Sequence, residues 1–149
     1  MTIHDDVQEV LLTEDQIQGR VTELGVELAH DYADRQPMLV SVLKGSIVFL
    51  ADLIRATELP LSVDLMELSS YGAAMESSGQ VRIPASVRIC CLLDKPARRL
   101  TDIDIEYRGF TIPDRFVVGY GLDFDERYRN LPYIGVLRPS VYGGPEPRT

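Results

Sequence analysis

A chain of 149 residues, 45% apolar and 26% charged, has room for one domain with one sizeable core. Its formal net charge of −8 argues against binding along a phosphate backbone, so nucleic acid is not an expected partner. The acidic start, Met1-Thr2-Ile3-His4-Asp5-Asp6, is unlike a signal peptide, and no apolar run approaches the roughly 18 residues of a membrane span, so a cytoplasmic protein without a membrane partner is expected.

In chain order, Thr13-Glu14-Asp15-Gln16 has the spacing of a capping box, with Leu12 and Ile17 placed for a hydrophobic staple, and predicts a helix start. Ile17, Val21, Leu24, Leu28 and Tyr32 follow at helical spacing, and Pro37 ends the region. Residues 38–43 form a nearly continuous apolar run of strand length, of the kind buried on both faces of a parallel sheet. From Ser46 the period changes, with Ile47, Leu50, Ala51 and Ile54 on one helical face, so "SVLKGSIVFLADLI" reads as strand, short loop, helix. Residues 61–68 alternate as a second strand. The Ser- and Gly-rich stretch 69–79 reads as a mobile loop. Further strands are expected at 87–93, at 102–106 with Asp102, Asp104 and Glu106 on a wet face, at 116–120 and at 133–137. The tail 139–149, rich in Pro and Gly, is expected to fray.

Cys90 and Cys91 are neighbours in an apolar run and point opposite ways on a strand, which suits small core residues rather than a disulfide. His4 and His30 each stand alone, without a nucleophile or a second metal ligand nearby in sequence. Lys44-Gly45-Ser46 carries more. A loop at the carboxyl end of a parallel strand, opening into a helix, presents backbone N–H groups and a positive dipole end to a phosphate. A glycine turn with a solvated lysine explains the same residues. Asp123 and Asp125 suit either Mg²⁺ or the first turn of a helix. Phe116 suits either a flat ligand or the core.

The stretches "LKGS", "VDLMELSSYG", "LLDKP" and "GFTIPDRFVVGYGLDFDERYRNLPYIGVL", in that order, resemble the hypoxanthine-guanine phosphoribosyltransferases of purine salvage. The resemblance runs from about residue 11 to residue 137. It implies an α/β fold, a parallel sheet flanked by helices with a small hood, and a homo-oligomer. It also implies a reaction in which a 6-oxopurine displaces pyrophosphate from phosphoribosyl pyrophosphate, with Mg²⁺, to give a nucleoside monophosphate. On that resemblance Lys44 and Gly45, often after a cis peptide, bind pyrophosphate together with Arg129. Ser70 and Tyr71 belong to the mobile loop that closes over the reacting centre. Lys95 donates to the purine 6-oxo group, Phe116 stacks on the base, Val117 offers its backbone, and Asp123 lies on the metal side.

One family stretch has no counterpart. Before the lysine strand the family carries a strand ending in two acidic residues, apolar residues and Asp-Thr-Gly or Asp-Ser-Gly, then a helix. Here Gln80-Val81-Arg82-Ile83 runs directly into Pro84-Ala85-Ser86-Val87. The expectation is a domain over residues 1–138 with an internal deletion at 83/84, lacking one central strand and helix, and a bonded Ile83-Pro84 junction. The resemblance assigns to the lost motif the 5′-phosphate cradle, the ribose contacts and the Asp that takes the purine proton. No catalytic base is therefore named, and little or no transferase activity is expected of the 149-residue chain. The alternative function is a non-catalytic relative that binds purine or pyrophosphate, or serves in assembly.

Overall fold

The computed structural model describes residues 1–67 and 86–144. In chain order it contains β1 (Val7–Leu12), α1 (Glu14–Asp31), β2 (Met38–Leu43), α2 (Ile47–Ala56), β3 (Ser62–Glu67), β4 (Cys90–Asp94), a 3₁₀ turn (Pro96–Arg98), β5 (Tyr107–Thr111), β6 (Val117–Val118), β7 (Ile134–Leu137) and the short α3 (Pro139–Tyr142). Helix α1 begins at the expected cap. The Thr13 hydroxyl accepts from Gln16 N at 3.2 Å, and the Gln16 side chain accepts from Thr13 N at 2.9 Å. Two donors at the helix start are satisfied in this way. The face carrying Ile17, Val21, Leu24 and Leu28 is buried, as its spacing requires.

That face meets α2 at short range because position 25 has no side chain. A Cβ on Gly25 would come within 2.4 Å of the Ala56 carbonyl oxygen. The main cluster of buried side chains joins α1 to Leu53 of α2, Leu92 of β4, Tyr107 of β5, Tyr120 and Ile134. A second cluster, of Val7, Val118, Tyr128, Leu131 and Leu137, lies under the antiparallel sheet β1-β7-β6. This three-stranded sheet is the small hood. Its first strand, β1, is not legible in the sequence, because its apolar run is short and broken by Gln8 and Glu9.

Among the described residues the parallel strands form two separate pairs. Strand β2 pairs with β3 from Met38↔Ser62 to Leu43↔Glu67, and β4 pairs with β5 from Cys90↔Tyr107 to Asp94↔Thr111. Among the described residues no strand joins the two pairs. The expectation that 38–43 is buried on both faces is corrected accordingly: Met38, Val40 and Val42 are 61%, 52% and 43% exposed. The Ile83-Pro84 junction and the loop residues Ser70 and Tyr71 lie outside the described residues.

Other boundaries move for identifiable reasons. The strand expected at 87–93 starts at Cys90. Residues 102–106 form no ladder. Their alternation survives as half-buried Ile103 and Ile105 between exposed acids, and Glu106 instead accepts from Ile89 N at 2.8 Å. The strand at 116–120 shortens to Val117–Val118, because Gly119, Tyr120 and Gly121 all take positive φ. No helix follows Asp123. Of the tail expected to fray from residue 139, Pro139–Tyr142 is helical, and residues 145–149 lie outside the described residues. Both cysteines are free and partly buried, and burial, then the neighbouring Cys91, pushes the Cys90 thiol up to about 12. Among the described residues no helix is long and apolar enough to cross a membrane.

The helix contact is testable through two glycines of α1. Gly25→Val forces the helices apart and is expected to destabilise the fold by about 1–3 kcal/mol. A Cβ added at Gly19 would meet nothing within 4 Å, so Gly19→Ala is expected to stabilise it by about 0.5–1 kcal/mol. Urea denaturation midpoints of the two variants should move in opposite directions.

Candidate functional site

The turn at residues 44–46 follows β2 and leads into α2, with the Leu43–Lys44 peptide in the cis form. The Ser46 hydroxyl does not cap α2. It donates to the Val42 carbonyl and shares a hydrogen bond with Ser41, so the turn is tied back to its own strand and the helix start is left without a side-chain acceptor. Against this turn lies Gly121, at φ +96°, where a Cβ would sit 2.1 Å from the Gly45 carbonyl oxygen. Only glycine meets both conditions.

The loop that carries Gly121 is anchored from its other side. Tyr120, at φ +48°, donates its hydroxyl to Asp52 of α2, which also accepts from Gln18 at 3.1 Å and pairs with Arg55. Burial works to raise the Asp52 pKa, but the hydrogen bonds from Tyr120, Gln18 and Arg55 hold it below the usual carboxylate value. Burial and the Asp52 carboxylate push the Tyr120 phenol up.

Charges gather where these loops meet. Arg129 places Nη2 2.9 Å from Asp123 Oδ1 and 3.5 Å from Glu126 Oε2, and its Nη1 donates to the Gly121 carbonyl at 2.8 Å. Its buried Nε has no protein partner among the described residues. Lys44 Nζ lies 3.3 Å from Glu126 Oε1, with both side chains mostly exposed. Asp123 Oδ2 accepts from Glu126 N at 3.0 Å. Exposed pairs of this kind are worth about 0–1 kcal/mol, so a polyanion can displace Glu126 from the two cations at little cost. The predicted residues Lys44, Gly45, Asp123 and Arg129 thus come together, and Glu126 joins them, a residue to which the sequence assigns no role.

A second cluster forms at the ends of β4 and β6. Asp94, 3% exposed, receives Arg99 Nη2 at 2.8 Å and Arg108 Nε at 2.9 Å, and its carbonyl accepts from Ile112 N. This fixes the strand end from which Lys95 projects. Lys95 Nζ donates to the Arg115 carbonyl at 2.7 Å. Lys95 and Phe116 line one cavity of about 580 Å³, together with Arg98, Asp114 and Tyr142. Val117 stands beside it, paired with the lining residue Val136. Tyr142 stacks on Phe116 with centroids 4.8 Å apart and planes at 20°, and Phe124 meets the same ring edge-on at 5.7 Å. Nothing in the sequence marks either aromatic as functional. Tyr142 lies in the expected tail, and no sequence period links it to Phe116.

Phe124 also connects the two clusters, since it directly follows Asp123 in the turn that Arg129 holds. The stretch from Phe116 to Arg129 therefore delivers an aromatic platform at one end and a cation with its carboxylates at the other.

No family model matches the chain. The crystal structure of a hypoxanthine phosphoribosyltransferase from Staphylococcus aureus superposes with a TM-score of 0.83 at 41% identity, covering 94% of this chain and 96% of that one. A parallel α/β core with a tight β2–α2 turn and an antiparallel hood defines a phosphoribosyltransferase-type protein. Among relatives, the hypoxanthine-guanine phosphoribosyltransferase of Bacillus subtilis (strain 168) is 42% identical over 174 aligned positions, covering 92% of this chain and 97% of that protein. The bifunctional protein TilS/HprT of Listeria monocytogenes serotype 4b (strain F2365) is 40% identical over 178 positions, and the chain spans only 28% of its length. The chain belongs to the hypoxanthine-guanine phosphoribosyltransferase family. Both alignments exceed 149 positions, so each relative carries positions with no counterpart here.

The anchor of the glycine loop has a pH signature. The folded Asp52 carboxyl ionises at lower pH than an unfolded one, so its contribution is present above the unfolded pKa of about 4 and is lost as pH falls through the lower folded value. Tyr120→Phe is expected to cost about 1–2 kcal/mol at pH 7. The difference from the parent chain should shrink below about pH 4 in thermal melts recorded across that range.

Proposed function

We propose that the chain binds a 6-oxopurine between Lys95 and Phe116 and the diphosphate of phosphoribosyl pyrophosphate at Lys44, Gly45 and Arg129, the substrates of hypoxanthine-guanine phosphoribosyl transfer. The observation that carries this reading is that one continuous stretch, residues 116–129, links the aromatic platform to the cation cluster, since Phe124 meets the Phe116 ring and the adjoining Asp123 pairs with Arg129. Lys95 spends one N–H on the Arg115 carbonyl and keeps two for a ligand acceptor. A 6-oxo group can accept from it; an amino group in its place cannot. Phe116, 41% exposed, offers a ring face already braced by Tyr142 and Phe124.

In the transfer, a purine ring nitrogen bonds to the ribose anomeric carbon as the bond from that carbon to the pyrophosphate oxygen breaks. Charge leaves with the pyrophosphate, where Lys44 and Arg129 stand to receive it. Mg²⁺ fits the donor set at Asp123, whose hard carboxylate oxygens are part-exposed. Among the described residues no group of three His, Cys, Asp or Glu side chains makes a closed metal cage. That suits an ion taking most of its ligands from substrate phosphates and water. Bound there, it would neutralise the departing diphosphate. The purine proton must also leave. Asp114 lines the cavity but is paired with Arg98 at 2.8 Å, and we assign it no such role.

A second reading, binding without turnover, is favoured by the division of the parallel strands into two pairs among the described residues. Calorimetry and turnover assays separate the two. Hypoxanthine should bind the purified chain, and Lys95→Met should weaken it by on the order of tenfold or more, the value of a hydrogen bond from a charged donor. Arg129→Met should weaken pyrophosphate in the presence of Mg²⁺ and leave hypoxanthine unaffected. Inosine monophosphate formation by the 149-residue chain alone is expected to be slight. Absence of any purine binding at millimolar concentration would defeat the proposal, and rapid turnover would defeat the second reading.

A further inference from the structure

Among the described residues Glu126 is the only carboxylate that pairs with both Lys44 and Arg129. Its Oε1 lies 3.3 Å from Lys44 Nζ, and its Oε2 lies 3.4 Å from the same nitrogen and 3.5 Å from Arg129 Nη2. Asp123 reaches Arg129 alone. The two groups that would receive a diphosphate are thus already bridged by an anion of the chain itself.

The backbone under Glu126 runs against that residue's own preference. Phe124 and Arg127 exchange N–H···O=C bonds at 3.1 and 3.0 Å, which makes residues 124–127 a two-residue turn with Asp125 at φ +53° and Glu126 at φ +57°. Both central residues of such a turn take positive φ, where glycine, asparagine and aspartate are favoured and glutamate is not. Asp123 Oδ2 accepts from Glu126 N and fixes the turn. Turn geometry therefore supplies no reason for a glutamate, whereas reach to two cations does. The Glu126 side chain, 68% exposed, extends from a fixed backbone and can rotate out into solvent.

A tethered carboxylate competes with a free anion as though it were present at about millimolar concentration. One that spans both cations yields most readily to a ligand that engages both at once, as a diphosphate does. The apparent dissociation constant of that ligand then exceeds the intrinsic one by the inverse of the fraction of molecules in which Glu126 has let go.

We propose that Glu126 is an internal competitor at the diphosphate site: its carboxylate holds Lys44 and Arg129 in the free chain, is displaced when a diphosphate binds and returns as it leaves, and so sets the affinity for that ligand. This role rests on the assignment of Lys44 and Arg129 to the diphosphate and deepens it.

The test is calorimetric titration of the full 149-residue chain with pyrophosphate in the presence of Mg²⁺. Glu126→Gln keeps the length of the side chain and removes its charge. It should bind pyrophosphate about threefold to tenfold more tightly than the parent chain, the range expected when weak exposed pairs cease to compete. Asp125→Asn removes the same charge from the adjoining turn position, which pairs with Arg127 and with neither cation of the site. It should change the affinity by less than about twofold, because exposed charges out of contact are screened. Arg129-dependent binding that Glu126→Gln leaves unchanged or weakens would overturn the competitor while leaving the diphosphate site standing. An equal gain from Asp125→Asn would assign the effect to net charge and overturn it too. If neither the parent chain nor Glu126→Gln binds pyrophosphate, or if Arg129→Met makes no difference, the diphosphate site itself fails and the competitor falls with it.

Discussion

The contact on which the site depends is backbone against backbone. Gly121, held at φ +96°, leaves no room for a Cβ between itself and the Gly45 carbonyl. The turn after β2 and the loop after β6 are therefore pressed together without an intervening side chain. Lys44, Asp123, Glu126 and Arg129 fall within one cluster only because that distance is so short. The Tyr120 bond to Asp52 holds the loop from the helix side, and the Arg129 bond to the Gly121 carbonyl closes it.

Charge balance then gives the cluster its chemistry. Two cations meet two carboxylates in a partly exposed setting, so the pairs are weak and exchangeable. A diphosphate offers more negative charge than Glu126 and can take its place, while Asp123 remains beside Arg129 with oxygens suited to a hard cation. The opposite arrangement holds at Asp94. There two arginines converge on a carboxylate that is almost fully buried, where leaving any partner unpaired costs several kcal/mol. The first cluster is arranged to let go and the second to hold the strand end under Lys95.

The divided sheet sets the limits of the molecule. Parallel strands are stable when both faces and both edges are occupied, and β2 and β3 are poorly supplied on both counts among the described residues. Most of the tight packing lies instead between α1, α2 and the β4–β5 pair, and under the hood. Among the described residues the buried packing is thus concentrated in the helices, the β4–β5 pair and the hood.

Elements governed by local chemistry were legible in the sequence. The Thr13 cap, the buried face of α1 and the strand–turn–helix around Lys44 follow from hydrogen-bond donors near in sequence and from a period that changes within a few residues. The grouping of Lys44, Gly45, Asp123 and Arg129, and that of Lys95 with Phe116, was reached through a family resemblance; no local pattern contains it. Tertiary structure alone decided the rest. It paired β1 with β7, shortened the strand at Val117–Val118 through three successive positive φ values, and stacked Tyr142 from the supposed tail onto Phe116. It also left exposed one side of an apolar strand expected to be buried on both. Periodicity reports which side of a strand is apolar, but burial requires a neighbour, and whether a neighbour exists is settled by residues far away in the chain.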